Sequence, residues 1–235
     1  NEYEYREQLS ALLLFYSSKN PKDKYTDLDE YIERMPEDQF EIYYAIGIDY
    51  DAIEKNPALE AFKKKNLEVL YLTDPMDGWT IDHLQTYKGK MFRPVEAADI
   101  KLEEDEKEKD EKDVKDAENL ASYLKTIYGD RLEDVRVSQR LVDSPCIMVN
   151  SKNAPSIQLE RMMRLQNQKA DFSKKVLEIN PKNKLIKSMI HIHKEKPDSD
   201  ELKSLGLQLL DNMILREGVT EDIESIVPRI HEIMY

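Results

Sequence analysis

The chain has 235 residues and a formal net charge of -13, a field that repels phosphate backbones and argues against a nucleic-acid partner. Its single cysteine, Cys146, excludes an internal disulfide and suits a reducing compartment. No apolar run of about 18 residues is present to span a bilayer, and no leader segment opens the sequence; it begins at Asn1 rather than Met and reads as a piece of a longer protein.

The apolar spacing of Leu9, Leu12, Leu13 and Tyr16 predicts a helix over 2–18, closed by Asn20-Pro21. Asp27 caps a short helix from Leu28 to Met35. Phe40 to Ile46 is rich in strand formers, and short helices follow at 49–55 and 58–65. A buried-type strand at 68–72, a helix at 76–86 and a strand at 91–95 complete an alternation that predicts an α/β unit with a parallel sheet. From Lys101 to Glu118 only Leu102, Val114 and Ala117 are uncharged, which gives a charged linker or a solvated helix and a boundary near residue 100. Beyond it the pattern predicts a helix at 120–128, strands at 135–137 and 146–149, a helix at 156–166, a strand at 176–179 and a helix at 184–193.

Two amphipathic helices end the chain. The first carries Leu202, Leu205, Leu209 and Met213, with Ser199 or Asp200 as N-cap and Gly218 as stop. The second carries Ile223, Ile226, Ile230, Ile233 and Met234. Such a hairpin cannot bury its apolar face alone, so either the preceding domain covers it or a second copy does, forming a four-helix bundle.

No nucleophile elbow, zinc-protease motif or glycine-rich phosphate loop is present. Asp74 and Asp77, three apart at a helix start, either hold a hard cation in a small acidic metal-dependent α/β enzyme or merely complement the helix dipole. Trp79, the only tryptophan, is either core or an adhesive surface spot. The stretch bearing Leu159, Met162, Met163 and Leu165 is either a core stripe or an adaptable binding face.

An ordered set of stretches then carries a resemblance: Tyr31-Ile-Glu-Arg-Met35, Ile42-Tyr-Tyr44, Glu68-Val-Leu-Tyr-Leu-Thr-Asp-Pro75 with Asp77 and Trp79, Gly89-Lys90, Asp134-Val-Arg-Val137, Arg140-Leu-Val-Asp-Ser-Pro145 and Leu177-Glu-Ile-Asn-Pro181. With these the chain resembles the C-terminal half of the heat-shock protein 90 chaperones, in the bacterial style. The resemblance implies that residues 1–100 are the end of a middle domain, 101–118 a charged linker or solvated helix, and 119–235 a C-terminal dimerisation domain. The implied fold is a small three-layer α/β segment followed by a mixed α+β domain, whose hairpin forms an intermolecular four-helix bundle.

It further implies a cytoplasmic homodimer joined through Leu202 to Met234. Unfolded clients would bind at Trp79 and at Leu159, Met162, Met163 and Leu165. Catalytic, cofactor and metal residues are expected to be absent here, with ATP and magnesium belonging to a missing N-terminal domain. The end, His231-Glu-Ile-Met-Tyr235, lacks the acidic tail that binds tetratricopeptide co-chaperones. A passive dimeric scaffold is the remaining alternative.

Overall fold

In the computed structural model, which describes residues 9–97, 100, 111–151, 175–217 and 223–234, the chain divides into two compact units. The Ser156–Gln166 helix expectation, with Leu159, Met162, Met163 and Leu165, lies outside the described residues, as does the run 101–110.

The first unit is built on a five-stranded sheet of order β1–β3–β2–β5–β4: β1 Tyr16–Ser17, β2 Glu41–Ile46, β3 Leu70–Leu72, β4 Thr86–Tyr87 and β5 Lys90–Pro94. The expected parallel core is present, with β2 running parallel to both β3 and β5. Antiparallel edges flank it, β1 on β3 and β4 on β5. Helices α1 (Leu28–Arg34), α2 (Tyr50–Glu54), α3 (Glu60–Lys64) and α4 (Asp77–Leu84) pack around it. Ile42, Tyr44, Leu70, Leu72 and Phe92 meet Leu28, Tyr31 and Ile81 on one face. On the other, the Tyr43 and Phe62 rings meet edge-on at 4.8 Å. All of β3 is buried, as a strand covered on both sides must be.

The helix expected over 2–18 does not continue past Ser10. Phe15 bridges Thr26, and Tyr16 and Ser17 pair with Tyr71 and Leu70. The reason is alternation: Phe15 and Ser17 point inward and are buried, while Leu12 and Leu14 stay exposed. The helical spacing of Leu9, Leu12 and Leu13 thus runs directly into a short edge strand. The helix expected to reach Thr86 stops at Leu84, because Gln85 adopts a left-handed φ of 58° and Thr86-Tyr87 turns into β4.

The second unit has a three-stranded sheet of order β6–β8–β7: β6 Asp134–Val137, β7 Cys146–Asn150 and β8 Lys175–Ile179. β8 is parallel to β6 and antiparallel to β7. Helices α5 (Glu111–Tyr128), α6 (Lys184–Glu195) and α7 (Asp200–Arg216) pack on it, and α8 (Ile223–Ile233) follows. Part of the charged run is therefore helical: Ala117, Leu120, Ala121, Leu124 and Tyr128 lie buried along α5. They join Val135, Leu177, Ile186, Met189, Leu202 and Leu209 in one core. Ser199 caps α7 as expected, accepting a hydrogen bond from Leu202 N.

Gly206 lets α7 approach α5 closely. A Cβ there would lie 2.7 Å from Ile127 Cδ1 and 2.8 Å from Leu124 Cδ2, and the Tyr128 hydroxyl donates to the Gly206 carbonyl at 2.7 Å. Overpacking costs about 1–3 kcal/mol, against roughly 1 kcal/mol gained by alanine in a helix. Gly206→Ala is therefore expected to lower the urea midpoint, by a net of about 1 kcal/mol. A midpoint raised by the substitution would show that the two methyl ends yield freely.

Candidate functional site

Among the described residues, two places combine exposed apolar surface with a defined framework. The first lies on α4. Its inner face, Gly78 and Ile81, is buried on the sheet, and only eight residues are available. Met76, Trp79 and His83, at helical spacing, are thus left on the outer face beside Leu9 and Leu13. Together with Leu84 they line an open cleft of about 430 Å³. Trp79 is 42% exposed and Met76 64%, so the tryptophan is not a core residue. His83 Nδ1 lies 2.8 Å from the Trp79 carbonyl, one turn back. A rigid indole beside flexible aliphatic side chains suits apolar side chains of varied shape.

Asp74 and Asp77 are occupied locally. Asp74 Oδ1 accepts from Met76 N at 2.7 Å and Asp77 Oδ2 from Asp74 N at 3.0 Å, the work of residues that start a helix. Among the described residues no group of three or more His, Cys, Asp or Glu is gathered to hold a metal.

The second place is the α7–α8 hairpin. Leu202 and Leu209 belong to the core of their own unit, at 0% and 3% exposure, and have no surface left to offer. Leu205 and Met213 are half-buried against that core, and Ile226 is buried. Ile230 is half-buried, Ile233 is exposed and Met234 is 81% exposed, with Val227 exposed beside them. The side chain of Ile223 is outside the description. On α8, residues 226, 227, 230, 233 and 234 share one stripe, and its outer edge remains open.

Sequence reasoning missed what fastens α8. Asp211, buried among Leu209, Leu210 and their neighbours, receives Arg131 Nη2 at 3.4 Å and pairs with Arg229 Nη1. A lone acid inside an apolar helical stripe was the available signal. The cleft residues Leu9, Leu13, Met76 and His83 were also missed, because segment 9–13 meets α4 only through the tertiary fold.

The stretches that carried the resemblance hold the buried polar groups. Glu68 takes Arg34 in a two-pronged contact, Nε at 2.9 Å and Nη2 at 2.8 Å, and Ser17 Oγ also donates to it. Tyr31 donates to the Glu68 carbonyl at 2.9 Å and accepts from Tyr43 N at 3.0 Å. In the second unit, Glu178 accepts from Arg136 at 2.7 Å, from Ser138 Oγ at 3.1 Å and from Arg140 Nε at 3.1 Å. Asn180 donates to the Val142 and Ser144 carbonyls and accepts from Lys182 N. Cys146 is buried, and burial pushes its thiol up to about 12, which keeps it protonated and unreactive.

The family model described as Hsp90 protein matches residues 1–235. The chain belongs to the Hsp90 family. Among relatives, it is 37% identical over 222 residues to the chaperone protein HtpG of Geobacter metallireducens, covering 92% of this chain and 34% of that protein. It is 37% identical over 243 residues to HtpG of Desulfotalea psychrophila, covering 99% of this chain and 39% of that one. Heat shock protein 90-5, chloroplastic, of Arabidopsis thaliana is 35% identical over 234 residues, covering 97% of this chain and 30% of that protein. The chain thus spans about a third of the length of these Hsp90 relatives. Among the described residues no helix is long and apolar enough to cross a membrane.

Proposed function

We propose that this Hsp90-family chain is the dimerising and client-contacting portion of a molecular chaperone that assists unfolded proteins in the cytoplasm. The open outer edge of the α8 stripe, Val227, Ile233 and Met234, carries the reading. A hairpin whose apolar stripe is wider than its own unit covers is completed by a second copy, as a four-helix bundle. The work assigned to this stretch is geometric rather than catalytic, with no nucleotide, metal or cofactor bound here. A permanent seam holds two chains at high effective concentration, so that other parts of each can meet as an intramolecular step. The Trp79 cleft holds apolar segments of a client, which gain by leaving water.

The seam predicted here differs from a uniform stripe over both helices. Leu202 and Leu209 stabilise the protomer, while Ile230, Ile233 and Met234 meet the partner. Light scattering across a dilution series is expected to give about twice the 27.6 kDa chain mass, falling to the single-chain mass in Ile233→Asp/Met234→Asp with Trp79 emission unchanged. A single-chain mass at every concentration would overturn the reading. Titration with a denatured client then separates a chaperone fragment from a passive dimeric scaffold. Trp79→Ala is expected to weaken client binding and leave the dimer intact.

A further inference from the structure

The geometry points to a charge preference at the Trp79 cleft: we propose that it takes apolar segments flanked by Lys or Arg. This rests on the reading of the cleft as a client contact. At about 100° per residue, the face holding Met76, Trp79 and His83 is bordered on one side by Asp77 and on the other by Asp82. Asp74 stands at the same helix start, and the whole stretch from Asp74 to Gln85 contains no Lys or Arg. Among the described residues, none that lines the cleft is Lys or Arg either.

Asp82 supplies the second, independent observation. It has no ion-pair partner among the described residues, although carboxylates elsewhere in the unit are paired, Glu68 with Arg34 and Asp29 with Lys88. It stands exposed on α4, open to a charged group brought to the rim of the cleft. An unpaired carboxylate at the rim of an apolar groove gains from a cation brought to it, and a ligand that fills the groove excludes water and strengthens that attraction. A segment with acidic flanks meets Asp77 and Asp82 as like charges, within a net field of -13. The occupant the surface fits is therefore an unfolded segment with a Leu- or Phe-sized apolar centre and basic flanks.

The test uses the full chain and short tryptophan-free peptides with one Leu-Phe-Leu centre, flanked by lysines, by serines or by glutamates. Trp79, the only tryptophan, reports binding by its emission. The lysine-flanked peptide is expected to bind about tenfold tighter than the glutamate-flanked one. The ratio is expected to shrink in high salt and to fall to about threefold in Asp82→Asn, with the serine-flanked peptide unaffected. Equal affinities, or a preference for glutamate, would overturn the charge preference while leaving the cleft as a client contact. Trp79 emission that no peptide moves would remove the client contact and the preference together. An emission that shifts when the chain alone is diluted would assign the cleft to a second copy. One that shifts only on deletion of residues 1–8 would assign it to the chain's own N-terminal segment, and either outcome overturns the proposal.

Discussion

Glu178→Ala is expected to destabilise the second unit by about 3–5 kcal/mol, a large share of the 5–15 kcal/mol typical of a domain. Glu178 sits on the central strand β8 at 3% exposure and is the cross-strand partner of Arg136 in the parallel pairing with β6. Its two oxygens take Arg136, Ser138 and Arg140 together. Ser138 Oγ in turn accepts from the backbone N–H groups of Arg140 and Leu141 at 3.2 and 3.1 Å. The carboxylate therefore fixes the strand pair and the turn after β6 at once. Arg136 is partly solvated and can turn to water, but the Arg140 side chain is 3% exposed and cannot recover hydration without opening the fold.

Two native reporters separate the units. Cys146 lies in the second unit and is inert while buried; Trp79 lies in the first. Thiol labelling of Cys146 in Glu178→Ala is expected to move to lower denaturant, while the Trp79 transition stays where it was. Glu178→Gln, which keeps the shape and loses the charge, is expected to fall between. A loss under about 1 kcal/mol would mean that Arg140 finds compensation elsewhere.

Asp211→Ala is expected to release α8 while α5, α6 and α7 keep their core, at a cost of about 2–4 kcal/mol. α8 is poorly equipped to stand alone. It spans only 11 residues, and Pro228 within it donates no hydrogen bond to the preceding turn. What holds it to its own unit is the buried Ile226 and the ion pair of Arg229 with Asp211, which Arg131 also approaches. Without the carboxylate, two guanidinium groups converge with no charge between them. Amide exchange is expected to show protection lost over Ile223–Ile233 and retained over Asp200–Leu210. If the second copy seats on α8, the same substitution is expected to raise the dimer dissociation constant by at least about tenfold, since a frayed helix offers no fixed surface. Unchanged protection over α8 would show that Ile226 alone suffices to dock it.

Much of this was written locally. The strands at 41–46, 70–72, 134–137, 146–150 and 175–179 lie within a residue or two of where β-branched and aromatic runs placed them, because a buried strand declares itself by composition. Caps did the same for helices: Asp27 and Ser199 accept from the backbone as their residue types suggest. Phe15 to Ser17 failed for the complementary reason. Two residues on a sheet edge carry no period of their own, and their strand exists only because Leu70 and Tyr71 are there to pair with it.

The candidate sites divide along the same line. The sequence by itself determined the family, through motifs whose buried charges need partners of fixed type. It also determined that Trp79 and the last two helices bear apolar faces, since period and residue type are properties of the chain read locally. Only the tertiary structure decided which of those faces are spent and which are open. Leu202 and Leu209 sit on an apolar helical stripe just as Ile233 and Met234 do, yet the first pair is covered by α5 and the sheet while the second stays 36% and 81% exposed. Likewise the cleft beside Trp79 and the clasp on Asp211 join residues more than sixty and up to eighty positions apart. A periodicity states that a face is apolar; burial is set by what the rest of the chain brings against it.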